Sequence, residues 1–197
     1  MGIISRDKFI SPITQRYSIS GFNKKRLVVG IGNITEVYAK NRHNLGFMVI
    51  DKLAEDCGAG WNLKKDLKSE VAITSVKKQE VILAKPQTYM NSSGQAVRAL
   101  MDFYKLSPED ITIVYDEIDI PFGEIRIKVG GSDAGHNGIK SVITHVGEGF
   151  RRIRIGVGPK TPAEMDLADF VLQDFSKSEA KKLPEVIERA IEAIFTK

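Results

Sequence analysis

A chain of 197 residues, 42% of them hydrophobic, is expected to form one domain with an ordinary core. Its formal net charge of +4 and its pI near 9.1 are compatible with a nucleic-acid partner, but equally with a neutral ligand. The single cysteine, Cys57, excludes an internal disulfide and a cysteine-based zinc site, and no apolar run reaches the roughly 18 residues of a membrane helix. The composition therefore favours a soluble protein of a reducing compartment, which we take to be the cytoplasm.

The N-terminal residues 1–25 are polar, with serines and scattered cations. They lack the apolar stretch of a secretion signal, and Arg6 stands where a myristoylation motif needs Ser or Thr. An organellar transit peptide is an alternative, although Asp7 counts against it. We interpret 1–25 as a polar extension and 26–197 as the folded domain.

The first apolar run, 27–29, ends at Gly30 and Gly32. This pattern predicts a buried strand followed by a glycine turn, the place where α/β proteins hold their ligands. A dense group of polar side chains follows: Asn33, Thr35, Tyr38, Asn41, Arg42, His43 and Asn44. His43 is therefore expected above the end of a strand.

The spacing becomes helical after His43. Phe47, Ile50, Ala54 and Cys57 fall on one stripe of a helix, which Gly58 can end. His43 is thus placed at the start of a helix, and Cys57 is expected to pack in the core.

The middle of the chain contains three predicted strands. Two of them, at 69–75 and 80–85, surround a polar turn. Asn91 then either caps a helix or presents its amide to a ligand. The third strand, 111–115, ends at Asp116, so a second strand delivers a polar side chain at its end.

Two later segments alternate charged and apolar residues. At 124–129 the alternation places Lys128 on a polar face and directs the isoleucine and valine side chains inward. Arg152 and Arg154 alternate with apolar residues in the same way, which predicts a second cationic strand face. The glycine-rich loop 130–135 lies between the two segments.

Two helices are predicted in the C-terminal part. The first follows His136, and His145 lies off its apolar stripe and is expected to face solvent. Ser176 and Glu179 form a capping box that opens the last helix, and Pro184 is expected to kink or divide it.

The predicted strands and helices interleave irregularly, with adjacent strands as well as strand–helix units. This order predicts the α/β class: a single domain with a mixed, mostly parallel β-sheet flanked by helices. The sequence contains no internal repeat and no interdomain linker.

Five ordered segments resemble the bacterial-type peptidyl-tRNA hydrolase family and together span nearly everything after Lys25. The first contains Gly30, Gly32, Asn33, Tyr38 and the triplet Arg42-His43-Asn44. The others are KPQTYMNSSG at 85–94, DEIDIP at 116–121, GHNG at 135–138 and RIGVG at 154–158. The ordered set, rather than any single motif, makes the resemblance specific.

The resemblance implies an enzyme that hydrolyses the ester joining a peptide to the terminal ribose of tRNA, without a cofactor or a metal. In that family the general base is the histidine of the triplet, here His43, and Asp116 matches the aspartate that orients it. An imidazole, with an ordinary pKa of about 6.5, can take a proton from water, and a carboxylate can hold it in one tautomer. The chain has no GxSxG motif, so water is left as the nucleophile. A capping or structural hydrogen bond is the alternative for His43.

The resemblance also implies that three amides line the substrate cleft. Asn91 matches the residue best placed to stabilise the oxyanion, and Asn33 and Asn137 match the other two. The alternatives are a turn residue for Asn33, a helix cap for Asn91 and an N-cap for Asn137.

Three further side chains are candidates for substrate contact. Tyr38 and Tyr89 either stack on a sugar or base or pack against the protein. His136 either contacts the substrate or forms a hydrogen bond with the backbone.

The expected partner is peptidyl-tRNA, bound by a protein that we expect to be a monomer. Lys128 and Arg154 match the pair that grips the tRNA 5′-phosphate in the resembling family, and Lys140 is expected to assist. Such contacts add affinity without reading base sequence.

The chain departs from the family pattern at three places. Ile34-Thr35 stands where the family usually has Pro-Gly, and Asn41 stands where Thr is common. Ser132-Asp133-Ala134 replaces a run richer in glycine and often histidine, which places a negative charge in a loop expected near RNA. A changed loop shape and an altered affinity are expected.

Three other functions would also account for parts of this sequence. The first is a non-catalytic RNA-binding member of the same fold. The second is a dinucleotide-dependent enzyme, suggested by Gly30 and Gly32, but the third glycine of that motif would fall at Thr35. The third is a metal hydrolase that uses Asp116, Glu117 and Asp119 with a histidine.

Overall fold

The computed structural model describes residues 25–196. Residues 1–24 of the predicted extension lie outside the described residues, and Lys25 is the first residue of the first strand. The strands are β1 Lys25–Gly30, β2 Asn62–Lys64, β3 Ser69–Val76, β4 Gln79–Pro86, β5 Ile111–Pro121, β6 Ile125–Val129 and β7 Arg151–Gly158. The α-helices are α1 Leu45–Asp56, α2 Ser93–Tyr104, α3 Asn137–Val146, α4 Leu167–Val171 and α5 Lys177–Phe195.

The seven strands form one sheet in the order β2-β3-β4-β1-β5-β7-β6. The central strands β4, β1, β5 and β7 run parallel to one another. The outer pairings, β2 with β3, β3 with β4 and β6 with β7, are antiparallel. The predicted mixed sheet is confirmed, and its parallel part lies at the centre.

Helices cover both faces of the sheet. One core cluster joins α1, α4 and α5 to one face, and a second cluster joins α2 and α3 to the other. Alternate residues of β1, Val28 and then Leu27 with Val29, therefore enter opposite clusters, and all three are fully buried. A strand covered on both faces must be apolar throughout, which explains the continuous apolar run that predicted it.

Gly46 lets the first turn of α1 lie directly on the sheet. A Cβ at this position would lie 2.6 Å from the backbone nitrogen of Ile31 and still closer to the carbonyl oxygen of Val114. The helix therefore starts over the junction of β1 and β5. This close approach places the turn before the helix above the end of β1 and the middle of β5.

The prediction that the apolar side chains of β6 face inward was wrong for two of them. Ile127 is 43% exposed and Val129 is 65% exposed, so their side chains do not face inward as expected. The reason is that β6 is the edge strand and little packs over its end.

The predicted cationic face of β7 was wrong for Arg152. This side chain is only 1% exposed and donates a hydrogen bond to the carbonyl oxygen of Ser132 at 2.6 Å.

The C-terminal helix is continuous. The capping box of Ser176 and Glu179 is present at its start, as predicted. Pro184 lies inside α5 and does not divide it.

Two further predictions concern single side chains. His145 is exposed, as predicted, and half-buried Cys57 packs against the core cluster that contains α1. Among the residues described, no helix combines the length and apolar character needed to span a bilayer.

Substitution of Gly46 by alanine should destabilise the fold, because the added methyl group overlaps backbone atoms that cannot move aside. We expect a loss of about 1–3 kcal/mol, the usual range for overpacking, measured by urea denaturation. Gly60→Ala is the matched control, since nothing lies within 4 Å of a Cβ at that position. Equal denaturation midpoints for the two variants would show that the helix can lift off the sheet without penalty.

Candidate active site

His43 reaches the site from a short 3₁₀ turn, Arg42–Asn44, immediately before α1. Asp116 reaches it from β5, but not from the last residue of that strand as predicted. Regular pairing of β5 with β7 continues to Glu117 and then shifts register before Pro121. Irregular pairing of this kind commonly re-aims side chains beside active sites.

His43 and Asp116 form a close pair. The Nδ1 atom of His43 lies 3.0 Å from each carboxylate oxygen of Asp116. The carboxylate can only accept, so Nδ1 carries the proton and donates it. The other ring nitrogen of His43, Nε2, is then unprotonated and able to accept a proton.

His136 makes the second contact with Asp116. Its Nε2 atom lies 3.3 Å from Asp116 Oδ1, and its Nδ1 accepts a hydrogen bond from the backbone N–H of Ile139 at 3.2 Å. Because Nδ1 accepts, Nε2 holds the proton and donates it to the carboxylate. The predicted alternative of a backbone hydrogen bond is therefore observed, and both ring nitrogens of His136 are engaged within the protein.

Burial and mutual attraction oppose each other in this cluster. Burial by itself would raise the pKa of Asp116, but the charge of His43 and the hydrogen bonds from His136 and His43 hold it well below its usual range. Burial would likewise lower the pKa of His43, but the charge and hydrogen bond of Asp116 outweigh it, so that pKa is raised above 6.5. Asp116 is thus kept as an anion beside an imidazole of strengthened basicity.

A cleft of about 400 Å³ lies beside the pair. His43, Asp116 and His136 line it together with Asn33, Asn137, Met90 and α4 residues that include Leu167 and Val171. The α4 wall was not predicted from the sequence. A recognisable signal was present, because Asp166 precedes the pentapeptide LADFV, which is apolar except for Asp169, and caps it by accepting a hydrogen bond from the backbone N–H of Ala168 at 2.8 Å.

The three predicted amides have different settings. Asn33 lines the cleft, and the side chain of Asn44 fixes its backbone by accepting from its N–H at 2.7 Å and donating to its carbonyl at 2.9 Å. This role of Asn44 was missed, although Asn44 belongs to the same triplet as His43. Asn137 lines the cleft and does not cap α3, because His136 is the N-cap. Asn91 is exposed beside Met90 and caps no helix, since Ser92 occupies the N-cap position of α2.

The two tyrosines lie outside the cleft lining. Tyr89 is 77% exposed, so the packing alternative does not apply to it. Tyr38 is half-buried in the 3₁₀ turn Glu36–Tyr38.

The predicted phosphate ligands are not equivalent. Lys128 and Lys140 are exposed. Arg154 is instead held by Glu117, whose Oε2 accepts from Arg154 Nε at 3.1 Å and from Nη2 at 3.0 Å. Glu117 is only 2% exposed, whereas the Arg154 side chain remains 20% exposed. The guanidinium therefore compensates a buried carboxylate.

Arg42 fastens the turn of His43 to the wall of the cleft. Its Nη2 pairs with Glu179 at 2.9 Å, and its guanidinium lies 4.3 Å from the ring centre of Phe170. The backbone N–H of Arg42 also donates to the carbonyl of Gln173 at 3.1 Å. Asn41, one of the departures from the family pattern, donates from its side chain to the carbonyl of Leu172.

The other departures lie in surface loops. Ile34 and Thr35 are both exposed. Asp133 accepts a hydrogen bond from the backbone N–H of Gly135 at 2.8 Å, so its carboxylate helps to shape the loop that leads to His136. Ala134 adopts a left-handed conformation, with φ of 49°, where glycine would be unstrained.

The grouping proposed for a metal hydrolase is not formed. Glu117 is bound by Arg154, and Asp119 is exposed. The fold and the site instead define an α/β enzyme in which a carboxylate-bound histidine lines a cleft and can accept a proton.

Comparison with known proteins identifies the family. The family model for peptidyl-tRNA hydrolase matches residues 27–196. The peptidyl-tRNA hydrolase of Mycobacterium ulcerans is 46% identical over 168 residues, covering 85% of this chain and 87% of the relative. That of Streptomyces avermitilis is 44% identical over 179 residues, covering 88% of each. The crystal structure of peptidyl-tRNA hydrolase from Acinetobacter baumannii matches with a TM-score of 0.81 and 34% identity over 89% of each chain. The chain belongs to the peptidyl-tRNA hydrolase family, as its motifs predicted.

Replacement of Asp116 by asparagine should lower the pKa of His43. The charge that raises this pKa is removed, while the burial that lowers it remains. The measurement is an NMR titration of the histidine ring protons, which is simple because the chain has three histidines. The signal of exposed His145, which has no hydrogen bond to Asp116, is the internal reference. The same midpoint for His43 in both proteins would show that Asp116 does not set its basicity.

Proposed function

We propose that the chain hydrolyses the ester bond of peptidyl-tRNA, with His43 as the general base that activates water. The observation that carries this proposal is the pairing of His43 Nδ1 with Asp116 at 3.0 Å on the wall of the cleft. Because that pairing uses Nδ1, the remaining nitrogen, Nε2, is the one left for a reactant. The names of the relatives, all peptidyl-tRNA hydrolases, support the substrate.

In the proposed reaction, Nε2 of His43 takes a proton from water while the water oxygen attacks the ester carbonyl. The imidazolium that forms is stabilised by the adjacent Asp116 carboxylate. When the tetrahedral intermediate collapses, the bond to the ribose oxygen breaks, and the imidazolium returns its proton to that oxygen. The products are a peptide with a free carboxyl group and a tRNA with a free terminal hydroxyl.

The amides supply the neutral donors that an oxyanion needs. We assign Asn91 to stabilising the developing oxyanion. Two observations support this assignment: its side chain is exposed next to the cleft residue Met90, and it does not cap a helix. Asn33 and Asn137 are assigned to substrate binding because both line the cleft.

His136 is assigned to positioning Asp116. A direct substrate contact through its ring would have to replace either the hydrogen bond to Asp116 or the one from Ile139. Tyr38 and Tyr89 lie outside the cleft and are assigned to contacts with the nucleotide. The exposed ring of Tyr89 offers a face on which a base can stack.

Lys128, Lys140 and Arg154 are assigned to the tRNA phosphate. Lys128 and Lys140 are exposed cations, whereas Arg154 shares its charge with Glu117. Lys128 should therefore contribute more to counterion release than Arg154. We further propose that the protein acts as a monomer in the cytoplasm.

His43→Ala should lower turnover of purified peptidyl-tRNA by at least about 100-fold, the lower range for removal of a positioned base. Release of free tRNA is followed on an acid gel, and tRNA affinity and urea stability are measured in parallel. His145→Ala is the matched control and should be fully active. Undiminished turnover in His43→Ala would reject the general-base assignment. Wild-type protein that binds the substrate without turning it over would instead identify a non-catalytic RNA-binding member.

Lys128→Ala should weaken binding of all elongator tRNAs similarly and reduce the salt dependence of binding by about one unit of slope. Lys181→Ala, which removes an exposed cation from α5, is the control and should leave the slope unchanged. Hydrolysis of a minimal aminoacyl-nucleotide ester, which lacks the distant phosphate, should not change in Lys128→Ala. If the plot of log affinity against log salt concentration had the same slope for both variants, Lys128 would be only a solvated surface cation.

Arg154 requires a different substitution. Arg154→Ala would leave the buried Glu117 carboxylate without its partner, so a loss of stability would accompany any loss of affinity. The double variant Glu117→Gln with Arg154→Gln removes both charges together. It should bind tRNA more weakly than wild type while unfolding at a similar urea concentration, whereas unchanged affinity would remove Arg154 from the phosphate site.

A further inference from the structure

Three potential metal ligands converge in the cluster of His43, Asp116 and His136. One ligand atom from each lies within 4.8 Å of the other two. The nitrogen-to-carboxylate distances are 3.0 Å for His43 and 3.3 Å for His136. Around a tetrahedral ion with bonds of about 2.0–2.1 Å, neighbouring ligand atoms lie about 3.3 Å apart. Both nitrogen-to-oxygen distances already approach that spacing.

The ligand set selects a class of ion. Two imidazoles and one carboxylate suit Zn²⁺ and its transition-metal neighbours, whereas Mg²⁺ and Ca²⁺ prefer oxygen ligands throughout. All three residues line the cleft, so an ion has a path to them, and water or a substrate oxygen can complete its coordination. Asp116 also supplies a buried anion that would be partly neutralised by the ion.

We propose that this cluster is a binding site for a divalent transition-metal ion of the Zn²⁺ class, and that the bound ion inhibits hydrolysis. The inhibition rests on the proposed role of His43, whereas the binding does not. The ion is an inhibitor in this proposal and not a cofactor of the reaction.

Binding requires a proton to move within each imidazole. In the metal-free protein the two nitrogens that face Asp116 carry protons, as their hydrogen bonds require. When an ion takes those nitrogens, each proton leaves through water and another is taken up on the opposite ring nitrogen, so both rings stay neutral. For His136 the newly protonated Nδ1 then faces the backbone N–H of Ile139, and the hydrogen bond between them is lost. This loss weakens the site and makes the occupancy reversible.

The same exchange explains the inhibition. In metal-bound His43 the proton lies on Nε2, the nitrogen that accepts a proton from water in the proposed reaction. Asp116 would at the same time bind the ion instead of orienting the imidazole. The bound ion therefore removes the base and its orienting carboxylate together.

Binding is tested first, with Co²⁺ as a spectroscopic probe of the full-length protein after removal of metals. Visible d–d absorption bands typical of four- or five-coordinate Co²⁺ should appear and saturate, and Zn²⁺ should abolish them, while Mg²⁺ should not. His43→Gln and His136→Gln should each weaken Co²⁺ binding by at least about tenfold. His145→Gln and Cys57→Ser are controls and should bind as wild type. These four variants cover every histidine and cysteine in the chain.

Inhibition is tested second. Zn²⁺ should inhibit hydrolysis of peptidyl-tRNA by the wild-type protein and by His145→Gln at the concentrations that displace Co²⁺, and a chelator should restore activity. Absence of Co²⁺ bands, or bands that survive in both His43→Gln and His136→Gln, would overturn the proposed site even if hydrolysis proceeds. Should His136→Gln fail to fold, His43→Gln decides. If the protein bound Co²⁺ as expected but hydrolysed nothing, the proposed function would fail and the site would stand.

Discussion

A buried carboxylate is the constraint on which this site depends. Asp116 is 2% exposed, and an unpaired anion at that depth would cost several kcal/mol. Two imidazole N–H groups satisfy it, one from the turn before α1 and one from the residue that caps α3. The carboxylate thereby determines where two separate helices present their histidines. Because each histidine must donate to Asp116, the same requirement also decides which nitrogen of His43 remains free.

Arginines hold the segments around Asp116 in place through ion pairs and hydrogen bonds. Arg42 ties the turn of His43 to Glu179 and Phe170, and Arg152 holds the loop before His136 through the carbonyl of Ser132. Arg154 neutralises Glu117, the neighbour of Asp116 on β5. The sequence pattern places Arg152 and Arg154 on the same face of a strand, but in the structure they bind different partners. The charged groups around the cleft therefore stabilise the framework that surrounds it.

The part of the site that follows from local pattern was predictable. An apolar run that ends in Gly30 and Gly32 locates a strand end, and the motif order locates His43 and Asp116. Partners separated widely along the chain were not predictable, because alternation reports which face a residue occupies and not what it meets there. Glu117 with Arg154 and Arg42 with Glu179 are two such pairs, separated by 37 and 137 residues. The exposed face of β6 was mispredicted for a related reason, since alternation cannot distinguish an edge strand from a central one.

The attachment of Arg42 to the segment that ends at Glu179 has a consequence for the order in which the protein is made. The turn that carries His43 is synthesised well before the groups that hold it in place, because Phe170 and Glu179 follow Arg42 by 128 and 137 residues. A nascent chain still attached to its own tRNA is itself a peptidyl-tRNA. Its cleft lacks a wall and the turn of His43 lacks an anchor until residues 167–179 have emerged from the ribosome. The order of synthesis therefore leaves this site incomplete until the segment that ends at Glu179 has been made.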